Sequence, residues 1–437
     1  MTLKRQSRPA LKAILLIVGI KRMEAGQVQQ SVVAREAGIP AALEKAFLKS
    51  LPAGTAFELQ IPGQPAVRIG DGIVKFRVRA NNPRAASAIK SLDEIRIAES
   101  YLAGDLDLEG DLLAAFDLRN SLSDTHLLAY LWSTYGQRLF YGQTASDRKW
   151  IAQHYDMDGA FHLHFLDRKF RCYSHGYFER EDEPLEGAIE RKLTTAFEML
   201  GLEPGMRVLD IGAGWGSFNE FAGKRGARVT SLTISKESEA YCNDLIRRQE
   251  LPCHVVREHF LEYQTDQRFD AIVNLGVTEH LPDYPATLRQ YAELLKPGGR
   301  VYLDASASPT KYPFSRFILK YIYPGNETPL HLPSYLDAVC DSPFELCTVA
   351  NDRVSYMLTA KHWAENLDAN RTAIAARWGE SVYRRFRLYL WGCVHCFATD
   401  DMTAYHWMLQ LTPGHSGRVT RKSAATILKR VKKAFHT

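Results

Sequence analysis

From about Gly187 to Ser308 the apolar positions gather into short runs separated by amphipathic stretches. RVLDIG, ARVTSLTIS, PCHVV, FDAIVNLG and RVYLDASAS are mostly apolar without strict alternation, so they predict five strands buried on both faces. Between them GAGWGSFNEFAGKRG, SKESEAYCNDLIRRQ and YPATLRQYAELLKPGG carry helical spacing, and a helix through KLTTAFEMLGL stops at Gly201 before Pro204-Gly205 turns the chain. Strand and helix in alternation predict an α/β fold: a doubly wound, mostly parallel, Rossmann-like sheet with right-handed crossovers.

The flanks follow other patterns. Phe57–Arg79 alternates and is broken by Pro-Gly and Gly-Asp-Gly, which predicts a small antiparallel sheet with tight turns. AALEKAFLKSL predicts one short amphipathic helix, and Arg84–Leu122 two or three helical stretches around YLAGDLDLEGDLLAAF. The expected organisation is a smaller N-terminal α+β accessory domain over 1–125, a helical connector over 126–186 that covers cofactor and substrate, and a main domain over 187–437. Lys311–Ser334, with Pro313, Pro324, Pro329 and Pro333, belongs to an expected insertion over 309–345 that suits a lid. Its Phe314, Phe317, Ile318 and Leu319 would line a lipid-sized groove. Trp363–Leu411 predicts an aromatic-rich helix and closing strands.

Composition narrows the partners. With 46% hydrophobic and 24% charged positions in 437 residues, the chain is neither disordered nor a single small module. A net charge of +5 is too mild for a dedicated nucleic-acid binder but is compatible with an anionic membrane surface or an acidic carrier protein. Arg418, Arg421, Lys422, Lys429, Arg430, Lys432 and Lys433 concentrate positive charge at the end, without Asp or Glu among them. Seven cysteines without regular spacing suit a reducing compartment, and Cys393-x-x-Cys396 has no second pair to complete a structural zinc site. The apolar run Ala13–Ile20 is too short to span a bilayer. These features predict a cytoplasmic protein, peripheral at most to the membrane.

The first strand ends in VLDIGAGWG, which places Asp210, Gly212, Gly214 and Gly216 between a central strand and a helix. Such a turn brings a ligand close to the backbone at a helix N-terminus. It lacks the Gly-Lys-Ser/Thr of a triphosphate loop. The second strand closes on Thr233–Ser235, hydroxyls without the carboxylate that a dinucleotide ribose usually meets, and Asp210 would repel a pyrophosphate yet orient an ammonium. The turn thus leaves a dinucleotide and S-adenosylmethionine in competition, and the motifs that follow favour S-adenosylmethionine.

HYD at His154–Asp156, CYSHGYF at Cys172–Phe178, PGMRVLDIGAGWG at Pro204–Gly216, VTSLTISKE at Val229–Glu237, GVTEHLPDY at Gly276–Tyr284, LKPGGR at Leu295–Arg300, KYIYPG at Lys320–Gly325 and YLWGCVHCF at Tyr389–Phe397 occur in that order. Together they resemble the cyclopropane-fatty-acid synthase and mycolic-acid cyclopropane synthase family of class I methyltransferases. The resemblance implies a methyltransferase core, unsaturated acyl chains as acceptors and, by analogy with phospholipid-acting members, a homodimer. It assigns Tyr173 and Ser174 to the methionine end of the cofactor, Gly212 and Gly214 to its backbone cradle, Thr233 to the neighbourhood of the ribose, and Glu258 to the adenine and ribose; Ser235 and Asp210 are further cofactor-binding candidates. Ser238 stands where the family commonly has Gln.

In that family a bound bicarbonate, held by a Cys, a Glu, a His and a Tyr, removes the proton that closes the ring. Glu279 and Tyr356 match, but the Cys position holds His175 and the His position Asp304. A carboxylate beside Glu279 disfavours bicarbonate unless a protonated His175 offsets it. Three readings stay open. His175, oriented by Asp304 or Glu279, is itself the proton acceptor; or methyl transfer ends in a methyl branch or methylene without a ring; or the pair activates an oxygen, nitrogen or enolisable carbon of another small-molecule acceptor. A lipid-binding relative without turnover is the alternative outside enzymology. His280 and His154 are expected to support the fold or to lie near the entrance of the site.

Overall fold

The computed structural model describes residues 39–123, 160–310, 315–323 and 329–412. Contacts divide the chain into two compact units, Met1–Thr125 and His126–Thr437. The run Ala13–Ile20, His154 and the basic tail from Arg418 lie outside the described residues.

The first unit holds strands β1 (Thr55–Gln60), β2 (Val67–Gly70), β3 (Ile73–Ala80) and β4 (Leu106–Gly110), with helices α1 (Ala41–Ser50), α2 (Pro83–Ser91), α3 (Glu94–Leu102) and α4 (Leu112–Phe116). The sheet is mixed rather than antiparallel: in the order β2-β1-β3-β4, β1 runs antiparallel to β2 but parallel to β3. Two glycines explain the difference. After β2 the chain crosses the start of β1 so closely that a Cβ at Gly70 would lie 2.4 Å from the Thr55 carbonyl oxygen and one at Gly72 1.8 Å from Gly54. Only glycine permits that crossing, which carries the chain to the far side of β1. LDLEG, expected within a helical stretch, is strand β4 because it pairs antiparallel with β3. Phe57 stacks on Phe76 at 5.0 Å and takes the edge of Phe47 at 5.6 Å, which closes the small core.

The second unit is built on a seven-stranded sheet of order β10-β11-β9-β8-β5-β6-β7. Its strands are β5 (Arg207–Ile211), β6 (Arg228–Thr233), β7 (His254–Arg257), β8 (Phe269–Leu275), β9 (Leu295–Ala307), β10 (Phe344–Asn351) and β11 (Thr403–Leu411). Strands β5 to β9 pair in parallel, and β11 inserts antiparallel between β9 and β10. The helices are α5 (Leu185–Met199), α6 (Ser217–Gly223), α7 (Lys236–Gln249), α8 (Tyr284–Leu294), α9 (Leu332–Cys340), α10 (Arg353–Ala369), α11 (Arg371–Trp378) and α12 (Glu380–Ala398).

Successive residues of β5 feed opposite faces: Val208 joins a core with Leu193, Trp215 and Phe386, while Leu209 and Ile211 join one with Ile272, Tyr291 and Trp407. Burial on both faces is why these strands lack an alternating pattern. Local chemistry sets the helix starts, since Ser235 caps α7 through the Ser238 amide and Asp283 caps α8 through the Ala286 amide. Because β6 and β8 flank β5 on opposite sides, the crevice at their carboxyl ends is the topological switch point of the sheet.

Helix α9 and the start of β10 fall inside the expected insertion, and Ile318–Ile322 forms a short π-helical turn with Phe317 buried beside it. Tyr312, Pro313 and Phe314 lie outside the described residues. Between residue 160 and α5 the helical connector is reduced to one 3-10 turn, His162–His164, among the described residues. No helix among the described residues is long and apolar enough to cross a membrane.

Candidate functional site: a cofactor cleft and a buried polar cluster

A cleft opens at the switch point. Its walls include all eight residues expected to hold the cofactor: Tyr173, Ser174, Asp210, Gly212, Gly214, Thr233, Ser235 and Glu258. His280 lines it too.

The glycine turn is shaped by two different demands. Gly212 has φ +89°, and a Cβ there would lie 2.4 Å from Val277 Cγ2, so the turn is pressed against the chain leaving β8. Gly214 has φ +50°, yet a Cβ there would meet nothing closer than 3.9 Å. Space at that position belongs to the cleft, which is the cradle a close-lying ligand requires. Ser238 also lines the cleft, and its hydroxyl donates to the Gly214 carbonyl at 2.7 Å, which fixes the turn. Asp210 is buried and accepts from the Ser231 hydroxyl at 2.6 Å; burial pushes its carboxyl up to about 7, against the pull of Ser231 and Lys192. Tyr173 lies among aromatic rings, with Trp363 at 5.4 Å and His162 at 5.2 Å. His162 is fully buried, and burial drives its pKa down to about 3, so it serves as a neutral wall.

The four residues proposed for chemistry converge behind this cleft. Glu279 sits on the 3-10 turn Thr278–His280 after β8, where its Oε1 accepts from the Ser306 amide at 2.7 Å and the Ser306 hydroxyl at 2.9 Å. Its Oε2 is buried without a hydrogen-bond partner among the described residues. Burial lifts the Glu279 carboxyl to about 7, the Ser306 bonds oppose the rise, and Asp304 adds to it. Tyr356, on α10, is held far above the usual phenol range, first by burial and then by the charges of Glu279, Cys393 and Asp304. Its ring stacks on His175 at 4.8 Å and on Phe397 at 4.4 Å.

The pairing inside this cluster differs from the expectation. His175 is oriented by neither Asp304 nor Glu279: its Nε2 lies 3.1 Å from Asp352 Oδ2, and the same oxygen lies 2.8 Å from His406 Nδ1. Asp304, buried on β9, has Lys192 Nζ at 3.4 Å. Lys192 is fully buried and also donates to Ser174 Oγ at 2.5 Å and Cys172 Sγ at 3.1 Å. Burial disfavours its charge, but Asp304 and Cys172 outweigh that and raise its pKa above the ordinary lysine value. The carboxylate at position 304 is thus neutralised from within the protein, by a lysine that also holds a cofactor-cleft hydroxyl.

Lys192, Asp352 and His406 escaped the sequence reading. Lys192 did leave a signal: on α5 the buried positions are Leu185, Ala188, Ile189, Lys192, Leu193 and Ala196, one apolar stripe interrupted by a single cation. Asp352 and His406 left none, since the contact joins residues 177 and 54 positions apart.

With this geometry in hand, the comparisons are specific. The family model described as mycolic acid cyclopropane synthetase matches residues 142–407. A probable fatty acid methyltransferase of Pseudomonas putida is 30% identical over 336 residues, 74% of this chain and 83% of that protein. Sphingolipid C9-methyltransferase B of Emericella nidulans is 28% identical over 328 residues, 71% of this chain but 64% of that protein. A solved structure of a mycolic acid cyclopropane synthase, complexed with SAH and CTAB, is 29% identical with a TM-score of 0.56, covering 60% of this chain and 96% of that one.

Proposed function

Because the chain belongs to the mycolic acid cyclopropane synthetase family and is an S-adenosylmethionine-dependent methyltransferase, we propose that it adds a one-carbon unit to an alkene carbon of an unsaturated acyl chain. S-adenosylmethionine supplies an electrophilic methyl group when bound. Gly212 and Gly214 would hold it through the backbone, Tyr173 and Ser174 at its methionine end, Thr233 and Ser235 near the ribose, and Glu258 near the adenine and ribose.

An alkene is a weak nucleophile, so the protein's task is to position it, to exclude water and to accept a proton late. The observation that carries the reading is the dry cluster of His175, Glu279, Asp304 and Tyr356 beside the cleft. Tyr173, on the cleft wall with the Trp363 ring 5.4 Å away, would offer a developing carbocation a negative π-face. His175 Nδ1 and Glu279 Oε2 are buried without a hydrogen-bond partner among the described residues, as suits a proton acceptor. His175 and Asp304, at two of the positions that would hold a bicarbonate, are already engaged by Asp352 and Lys192, which speaks against a bound bicarbonate here.

Mass spectrometry after incubation with a labelled methyl donor and a panel of unsaturated phospholipids, sphingolipids and free acids tests the reading. A gain of one methylene unit with loss of the alkene identifies ring formation; the same gain with the alkene retained identifies a branch. Label appearing only on an oxygen or nitrogen acceptor overturns the assignment to alkene carbon.

A further inference from the structure

Asp352 belongs to none of the motifs that mark the cleft, yet its carboxylate pairs with His175 itself. Its backbone is clamped, the amide donating to the Ala404 carbonyl at 2.8 Å and the carbonyl accepting from the Tyr356 amide at 2.9 Å. One carboxylate oxygen, Oδ2, faces two imidazoles, His175 Nε2 at 3.1 Å and His406 Nδ1 at 2.8 Å. We propose that Asp352 and His406 act as positioning residues that fix His175 in the Nε2–H form, making His175 Nδ1 the proton acceptor of the reaction and removing the need for an added anion. The inference rests on the alkene-methylation reading above.

The tautomer follows from the acceptor. Burial opposes ionisation of Asp352, but the hydrogen bonds from His175 and His406 outweigh it and hold the carboxyl below its usual range. An ionised carboxylate oxygen only accepts hydrogen bonds, so each facing nitrogen carries the hydrogen. For His175 the lone pair is then on Nδ1, which is buried and has no hydrogen-bond partner among the described residues. His406 holds the far side of the same oxygen, so the carboxylate stays aligned with His175 when the imidazole charges.

The surrounding titratable groups support one direction of proton flow. Tyr177, whose ring is 5.6 Å from His175 and 5.1 Å from His406, bonds its hydroxyl to that of Tyr302 on β9. Burial pushes both phenols well above their usual range, so neither competes as a base. Tyr356 on α10 is likewise a neutral phenol. Asp304 stands opposite His406 in the β9–β11 register, with Lys192 as its counter-ion, and Glu279 is held through Ser306. In the step itself the Nδ1 lone pair of His175 takes a proton from the methylated, cationic substrate. The freed C–H bonding pair stays with the substrate, closing the ring or forming an alkene, and the imidazolium is paired with the Asp352 anion until it returns the proton to solvent.

The test compares wild type with Asp352→Asn, His406→Gln and His175→Gly in bicarbonate-depleted buffer, using S-adenosylhomocysteine binding to confirm that each variant is folded. Wild type is expected to keep its turnover without bicarbonate. Asp352→Asn lowers kcat about 100-fold and shifts the pH profile of kcat while the donor KM stays within about threefold, the size of a lost oriented base. His406→Gln lowers kcat about tenfold in the same sense, and added imidazole restores part of the His175→Gly activity. A wild-type enzyme that stops without bicarbonate, or an Asp352→Asn variant with unchanged kcat and pH profile, overturns the proposal. Should Asp352→Asn fail to fold, His406→Gln and the imidazole rescue decide the matter. A wild-type enzyme that methylates no alkene instead removes the reading beneath it, a result visible before any variant is made.

Discussion

The cofactor cleft and the polar cluster behind it lie on the same edge of one sheet but are built in opposite ways. The cleft turns on backbone: glycines at positive φ at the switch point, flanked by hydroxyls such as Ser174 and Ser235 and by the carboxyls of Asp210 and Glu258. The cluster is made of side-chain charge, with Lys192 against Asp304, Asp352 between two histidines and Glu279 suspended from Ser306. Backbone recognition tolerates exchange of neighbouring side chains. A charge cluster in a dry interior does not, because every member sets the cost of its neighbours. His175 and Asp304, which stand where the resemblance implies a Cys and a His, each have a charged partner within reach.

The widest separation of the two regions is expected from Lys192→Met. It leaves Asp304 as an uncompensated buried charge and should lower the unfolding free energy by about 3–5 kcal/mol. Adding Asp304→Leu should return most of the loss, and denaturant titration of the single and double variants measures both. Equal instability of single and double variants would mean that lysine packing, not charge, is what matters.

Next in size is a contrast inside the cleft. Gly212→Ala forces a methyl group to 2.4 Å from Val277 Cγ2 at φ +89° and should cost about 2 kcal/mol of stability or more. Gly214→Ala meets no protein atom within 3.9 Å, so it should cost about 1 kcal/mol while weakening S-adenosylhomocysteine binding at least about tenfold. Calorimetric titration beside thermal unfolding reads the two effects separately. Undiminished affinity in Gly214→Ala would show that the open space there is not the ligand's.

The smallest effect is a pH dependence. Burial raises Glu279 from its ordinary 4.5 to about 7, so between those values the folded protein retains a proton that the unfolded chain has released. Stability from this group is complete below the lower value and is lost as pH rises through the upper one. Glu279→Gln removes that loss, and its stability relative to wild type should climb between about pH 5 and about pH 8. Parallel unfolding curves across that range check the sign; a flat difference would place the Glu279 carboxyl in a far wetter environment than the one described.

The sequence by itself determined the features whose physical cause is local. Apolar runs such as RVLDIG mark strands buried on both faces, the caps Ser235 and Asp283 start helices, and Asp210-x-Gly212-x-Gly214 names the cofactor turn, because each depends on neighbours a few residues away. Tertiary structure alone decided what those residues touch. The parallel pairing of β1 with β3 depends on the crossing permitted by Gly70 and Gly72, and the pairing of Lys192 with Asp304 depends on α5 packing over the end of β9. His175, Asp352 and His406 meet only when the 170s segment, the start of α10 and β11 are brought together. A charge's partner is chosen by three-dimensional proximity in a medium of low dielectric, and the order of residues along the chain carries no record of that distance.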